Sequence, residues 1–296
     1  MNIVEKFKIL TYNVGFIYKP INNVLVTGVQ AGDIVWMKHS YNDRYFADPF
    51  MVDEDKRNYY ILCEEYPFWS EIGKIVLLTV DRKKHAVVSR KMIIDEPYHL
   101  SFPYCKLRGD WILPEASASG AAYIYKYSCA EQKVVEKRKI CDVGLIDNVR
   151  YSDKSGDYIY AGEIKIPSTE LYEFKKNDDG IYKEIRLIQS DNRTSRGAGD
   201  FFTVNNILYR AVQDCKGRYG RQTKIMRIKS IGNDGYQAEE AVTINSFDNP
   251  PFDETLHTFN VYDDVIVIDG SRDFIRFPMK IFYKKCRWIF KNRMSE

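Results

Sequence analysis

Apolar residues recur at every second position in short runs along most of the chain, and the runs stop at clusters of Gly, Asn, Asp or charged residues. Period-two alternation broken by turn chemistry predicts β-strands joined by hairpins. The stretch 195–228 shows the unit most plainly: a strand over 200–204, a turn at Asn205-Asn206, a strand over 207–212, a polar loop over 213–221 and a third strand over 222–228. Alternating apolar residues around an Asn-rich turn are a hairpin signal. A run over 236–244 supplies a fourth strand.

The unit repeats. Strands are predicted over 47–52, 59–66, 74–80 and 85–94; over 99–106, 111–117, 121–127 and 133–140; and over 144–151, 158–164, 170–176 and 180–188. A last copy begins with 256–262 and 265–270 and runs on through FIRFPMKIFY. The copies start near 47, 99, 145, 198 and 256. Four strands at a period of roughly 50 residues is the signature of a propeller blade. The fold class expected is therefore all-β, a five-bladed β-propeller over residues 1–279. The fifth copy lacks an outer strand, which 22–29 or 33–39 can supply to close the ring. Two separate β-sandwiches are the competing architecture, but they do not require one register repeated five times. Residues 280–296 depart from the pattern: six Lys or Arg and no acid over 280–293, interleaved with aromatics. Such a tail can lie on an anionic membrane surface or pack on the last blade with its charges in water.

Composition narrows the picture only slightly. The 296 residues are 45% apolar and 29% charged, ordinary for a globular chain, but 22 Tyr and 16 Phe are a bias that suits strands and sugar-stacking surfaces. A net charge of +3 gives no reason to expect a nucleic-acid partner. No N-terminal segment reads as a signal peptide, and six Cys without a C-x-x-C pair read as reduced thiols rather than a zinc site, so a cytoplasmic location is expected.

In a propeller the inner strands converge on one axis, so polar residues at equivalent strand ends become neighbours. The candidates are Asp48, Glu64 and Glu65; His99 and Glu115; Asp147 and Glu163; Arg196, Asp200, Gln213 and Asp214; and His257, Asn260 and Asp269. Carboxylates crowded together split their pKa values, one ionised and one protonated, which is what acid–base chemistry on sugars uses. Taken singly, each acid reads better as a turn residue. Asp48 and Asp147, which precede inner strands at equivalent places, read as functional. Trp69, Trp111 and Tyr219 are candidate sugar platforms, although Trp111, inside a strand, reads better as core.

ADPF at Asp48 and LIDNVRYSDKSGDYIYAGE with Asp147 resemble the Asp-bearing inner strands of family-43 glycoside hydrolases, over about residues 40–270. The resemblance implies a catalytic base at Asp48, a pKa-tuning acid at Asp147, and a last-blade histidine, here His257, that holds a metal or water on the axis. An axial Ca²⁺ is the one cofactor this raises; a hydrogen-bonded structural histidine is the simpler reading. HLSFPY…GDWILPE, SRGAGDFF…LYRAVQDC…YG and LHTFN resemble the propeller-like N-terminal domain of plant glucosamine inositolphosphorylceramide transferases, whose bacterial relatives stand alone and are associated with surface-polysaccharide synthesis.

One departure from the hydrolases matters. Their general-acid Glu precedes the fourth inner strand, where this chain has Arg196-Gly197-Ala198-Gly199. A hydrolase must protonate the departing alkoxide, whereas a phosphate leaves as an anion and needs a cation. The glycines are expected to let the backbone approach substrate. The expected function is thus glycosyl transfer from a phosphate-activated donor to a glycan or lipid-linked acceptor, at the inner face of the membrane and in contact with it through 280–293. Asp48, Asp147 and Glu115 would be catalytic; Glu65, His99, Arg196, Asp200, Gln213, Asp214, His257 and Asn260 would bind substrate. The alternatives are a family-43-like hydrolase and a non-catalytic glycan-binding propeller.

Overall fold

Every predicted repeat forms an antiparallel sheet of four strands. The computed structural model describes residues 8–163, 170–245 and 251–275. Blade one is β3 (Arg44–Glu54), β4 (Asn58–Pro67), β5 (Lys74–Asp81) and β6 (Ala86–Ile94); blade two is β7 (Ser101–Cys105), β8 (Trp111–Glu115), β9 (Ala122–Ser128) and β10 (Lys133–Cys141). Blade three is β11 (Leu145–Asp153), β12 (Gly156–Glu163), β13 (Glu170–Lys176) and β14 (Tyr182–Ser190); blade four is β15 (Gly197–Val204), β16 (Ile207–Asp214), β17 (Gln222–Ser230) and β18 (Gln237–Asn245). The Asn205-Asn206 turn is present, with φ of 51° and 62°. The fold is the expected five-bladed β-propeller.

The fifth blade corrects the reading of the chain's start. Its inner strands are β19 (Phe259–Val261) and β20 (Ile266–Ile275), but its third strand is β1 (Lys8–Ile17), paired along its length with β20. The outermost strand is β2 (Ile34–Trp36), inside the expected 33–39. The other candidate, 22–29, is instead mostly the short helix α1 (Ile21–Thr27), which Pro20 precedes and which buries only Val24. A strand from one end of the chain lying between strands from both ends closes the ring by hydrogen bonds alone. Residues 280–296 lie outside the described residues.

The apolar core lies between blades rather than on the axis. One cluster runs through blades one to three and into blade four, with residues such as Phe50, Phe102, Tyr160 and Phe201; a second joins blades four and five through Phe202, Phe259 and Ile268; a third joins blades five and one through Phe16, Phe46 and Ile61. The axis is left to polar side chains.

What aims them is a bulge repeated in the inner strands. Register slips fall between Ala47 and Phe50, Ser101 and Tyr104, Ile146 and Val149, and Gly197 and Phe201. In blades one to three the residue entering the bulge has positive φ: Asp48 at 51°, Phe102 at 42° and Asp147 at 46°. A bulge re-aims one side chain, and this backbone region costs a non-glycine residue about 1–2 kcal/mol. Asp48, Phe102 and Asp147 therefore occupy one structural position. Two of the three are carboxylates at the axis.

Candidate functional site

The first strands bring Asp48 and Asp147 to the bulged end of the axis, and the second strands bring Glu64, Glu115 and Asp269 beside them. In register, Glu64 lies opposite Ala47 and Glu115 opposite Ser101, each just before the bulge. Blade three has Gly162 at that place, opposite Ile146.

Asp48 and Asp269 share their donors. The Asp48 backbone N–H donates to Asp269 Oδ2 at 2.9 Å, and the Thr258 hydroxyl lies 3.0 Å from Asp48 Oδ1 and 3.1 Å from Asp269 Oδ2. The Thr258 and His257 backbone N–H groups donate to Asp269 Oδ1 at 2.9 and 3.3 Å. The Phe102 N–H donates to Asp48 Oδ2 at 3.0 Å, which ties blade two to blade one. His257 Nδ1 lies 3.0 Å from Asp269 and 3.5 Å from Asp48. Burial opposes charging this imidazole, but Asp269, and then Asp48 and Asp147, outweigh it and push His257 up to about 9. Burial pushes Asp48 up to about 6, with His257 pulling the other way and Asp269 and Asp147 adding to the rise.

Atoms of Asp48, His257 and Asp269 lie within 4.8 Å of one another, so their donor types could in principle hold a cation. The arrangement does not fit one as it stands. Asp269 already accepts from three backbone N–H groups and a hydroxyl, and His257 Nδ1 already lies against Asp269, Asp48 and the Thr258 hydroxyl. The geometry favours a structural, hydrogen-bonded His257.

Blades two, three and four assemble the second half of the cluster. Arg196 Nε sits 2.8 Å from Asp147 Oδ2, both largely buried, and Gln213 Nε2 donates to Asp147 Oδ2 at 3.3 Å and to the Gly197 carbonyl at 2.7 Å. The Arg196 guanidinium also lies 4.9 Å from the Tyr219 ring, half-exposed at the mouth of the cluster. The Asp147 N–H donates to Glu115 Oε2 at 3.1 Å, and the Ser117 hydroxyl to Glu115 Oε1 at 3.0 Å. Burial raises Asp147, with Arg196 opposing. Burial and then Asp147 push Glu115 up to about 7, again against Arg196.

The glycines at the start of β15 serve the neighbouring blades. A Cβ on Gly197 would stand 2.6 Å from the Asp147 carbonyl oxygen, and one on Gly199 2.3 Å from that of Phe259. Their bareness lets blade four close on blades three and five, and so lets Arg196 reach Asp147. The close approach is to backbone, where the sequence suggested substrate.

Glu64 and His99 form a third group. His99 Nδ1 accepts from the Gly73 N–H at 2.9 Å, which leaves the proton on Nε2, 3.5 Å from Glu64 Oε1. Burial, then Asp48, Glu115 and Asp269, push Glu64 well above the usual carboxylate range.

Four predicted binding residues are occupied by the fold. Glu65 points away from the cluster and is held by Arg44 at 2.9 Å and by Arg90 on both oxygens. Asp214 lies 3.4 Å from Lys224 and from Arg193 and accepts from the Lys216 N–H. Asn260 clamps two inner strands, accepting from the Asp200 N–H at 2.8 Å and donating to the Pro49 carbonyl at 2.9 Å. Asp200 lies within β15, where the sequence put its start, and is paired with Lys106 at 2.5 Å. Two residues at the cluster escaped the sequence reading. Thr258 carried no signal beyond its place beside His257. Tyr12, whose ring lies 4.6 Å from that of His257, sits on β1, which the repeat did not reveal.

The raised acids predict a pH dependence of stability. Glu115 rises from 4.5 to about 7, so its stabilisation is complete below pH 4.5 and is lost as pH climbs through 7. Ionising it costs up to about 3 kcal/mol. Urea midpoints measured between pH 4.5 and 8 should therefore fall, and Glu115→Gln should make that fall shallower. An unchanged slope would place the titration elsewhere.

Two solved glycosidase structures share the five-bladed fold. The RS223-Beta-xylosidase matches 79% of this chain and 85% of its own at a TM-score of 0.52 and 12% identity. A family-43 β-xylosidase/α-arabinofuranosidase from a compost microbial metagenome gives a TM-score of 0.50 at 10% identity, covering 79% of this chain and 83% of its own. In sequence, residues 13–250 match the family described as glucosamine inositolphosphorylceramide transferase 1, N-terminal, and the chain belongs to that family. The transferase of that name from Arabidopsis thaliana is 24% identical over 208 residues, 66% of this chain and 27% of its own length. The one from Oryza sativa subsp. japonica is 26% identical over 156 residues, 49% of this chain and 21% of its own. The match thus spans only about a quarter of these relatives.

Proposed function

We propose that this protein transfers a glycosyl group from a phosphate-activated donor to a glycan or lipid-linked acceptor. The observation that carries the reading is the buried Arg196–Asp147 pair at the entrance of the fourth inner strand. Where the family-43 hydrolases hold a proton donor, this chain holds a fixed cation. A guanidinium there can bind two oxygens of a departing phosphate, which needs no proton to leave. In this scheme Asp48 is the base or nucleophile, Asp147 tunes it and orients Arg196, and Glu115 binds or protonates at the acceptor side. Gln213 and His257 complete the polar wall. The relatives' name also speaks for transfer, although their substrates are not carried over. The basic tail at 280–293 is proposed to keep the protein at the membrane's inner face, near a lipid-linked acceptor.

Hydrolysis is the second reading, favoured by Glu115, whose pKa near 7 suits a proton donor at neutral pH. The two separate on substrate. The purified chain should release phosphate from sugar phosphates or nucleoside diphosphate from nucleoside-diphosphate sugars when acceptor glycans are supplied, and Asp48→Asn should abolish that release. Rapid cleavage of aryl furanosides, lost in Asp48→Asn, would instead establish a hydrolase. Indifference of both assays and of cellular activity to Asp48→Asn and Asp147→Asn would leave a glycan-binding propeller.

A further inference from the structure

A cleft of about 460 Å³ opens between the inner strands of blades two, three and four. That volume is within the range of small-ligand sites. The inner strands run from the bulged end toward their hairpin turns, and Tyr104, Arg150 and Phe201 lie past the bulges of β7, β11 and β15. The cleft is therefore at the opposite end of the axis from the acidic cluster. Lys106, on its wall, pairs with Asp200 and so joins blade two to blade four, which are not neighbours in the ring.

The lining is aromatic and cationic. Trp111 and Tyr151 are partly exposed over the buried Tyr104 and Phe201, and Arg150 stands among them with its Nε buried and without a hydrogen-bond partner among the described residues. A smaller cleft of about 170 Å³ shares Trp111 and Arg150 and adds Arg138 and Lys176. The Arg138 guanidinium and the Lys126 ammonium lie 5.5 and 6.0 Å from the Trp111 ring. The acids nearby are largely engaged: Asp200 with Lys106 and Asp157 with Lys176 at 3.3 Å, leaving Asp110 on the rim. Arg138 and Arg150 make no salt bridge among the described residues, so the pair of clefts has an excess of positive charge around a tryptophan.

We propose that these two neighbouring clefts bind an acidic glycan, its carboxylates on Arg150 and Arg138 and its sugar faces on Trp111 and Tyr151. Guanidinium forks match carboxylates bidentately, and flat rings cover the apolar faces of sugars. With its lining acids paired or on the rim, the cleft is built to bind rather than to react. The proposal holds whether the acidic cluster transfers, hydrolyses or only binds.

The test is calorimetric titration of the full chain with tetragalacturonate, neutral galactotetraose and inorganic phosphate. Tetragalacturonate should bind, galactotetraose should not, and phosphate should bind far more weakly. Arg150→Gln should weaken tetragalacturonate by about 10-fold or more, the scale of one charged hydrogen bond, and Asp147→Asn should leave it unchanged. If Arg150→Gln melts early, the exposed Arg138→Gln carries the same comparison. The proposal is overturned if no probe binds, if the neutral tetraose binds equally, or if phosphate matches tetragalacturonate. Loss of binding in Asp147→Asn with none in either arginine variant would assign it to the acidic cluster and also overturn it.

Discussion

Replacing Arg196 with glutamine is expected to lower turnover of a phosphate-activated donor by about 10²–10³-fold, the usual effect of removing one fixed stabiliser of developing negative charge. Arg196→Lys should recover only part of it, because an ammonium cannot hold two phosphate oxygens in one plane. The substitution also strips the buried Asp147 of its cation, which can cost about 3–5 kcal/mol when one member of a buried pair is removed. Lost stability could be mistaken for lost catalysis. The double variant Arg196→Gln with Asp147→Asn separates them, since it removes both charges and should melt close to wild type while staying inactive. Steady-state kinetics beside thermal melts of the three variants make the measurement. Wild-type turnover in a folded Arg196→Gln protein would rule out the phosphate clamp.

The second large effect is structural. Asp269→Ala should destabilise the fold by about 3–5 kcal/mol, because it strands an imidazolium and several buried donors together. Those donors are the backbone N–H groups of Asp48, His257 and Thr258, and they belong to the first and last blades. The loss therefore falls where the ring closes. A pH signature accompanies it. His257 is raised from 6.5 to about 9, so the stability it contributes is complete below pH 6.5 and fades as pH rises through 9. In Asp269→Asn, which keeps one acceptor but no charge, that fade should shift to lower pH and shrink. Urea denaturation at pH 6, 7.5 and 9 reads both effects. A midpoint for Asp269→Ala equal to wild type at pH 6 would show that Asp269 does not hold the closure.

The site was legible to the extent that its residues lie at fixed places in a repeat. Asp48, Glu115, Asp147, Arg196, Gln213 and His257 were all found from strand ends, and the structure brings them to one end of the axis. Glu65 was misplaced for a reason of period. In a strand, neighbours face opposite sides, so of Glu64 and Glu65 only one can meet the cluster. Asn260, Asp200 and Asp214 looked identical in sequence to ligand-binding residues, and only their partners show them engaged by the fold.

The alternation of apolar residues, the turn chemistry and the period of roughly 50 residues determined the strands, the number of blades and the position of the candidate acids. These are local properties, written in each copy independently. Three things were decided by tertiary structure: the insertion of β1 into the last blade, the bulges that aim Asp48 and Asp147 at the axis, and the protonation of the cluster. Each depends on groups far apart in sequence. A strand's partner is set by ring closure, a bulge by the strand it faces, and a buried acid's pKa by burial and the charges around it. No single copy of the repeat contains that information.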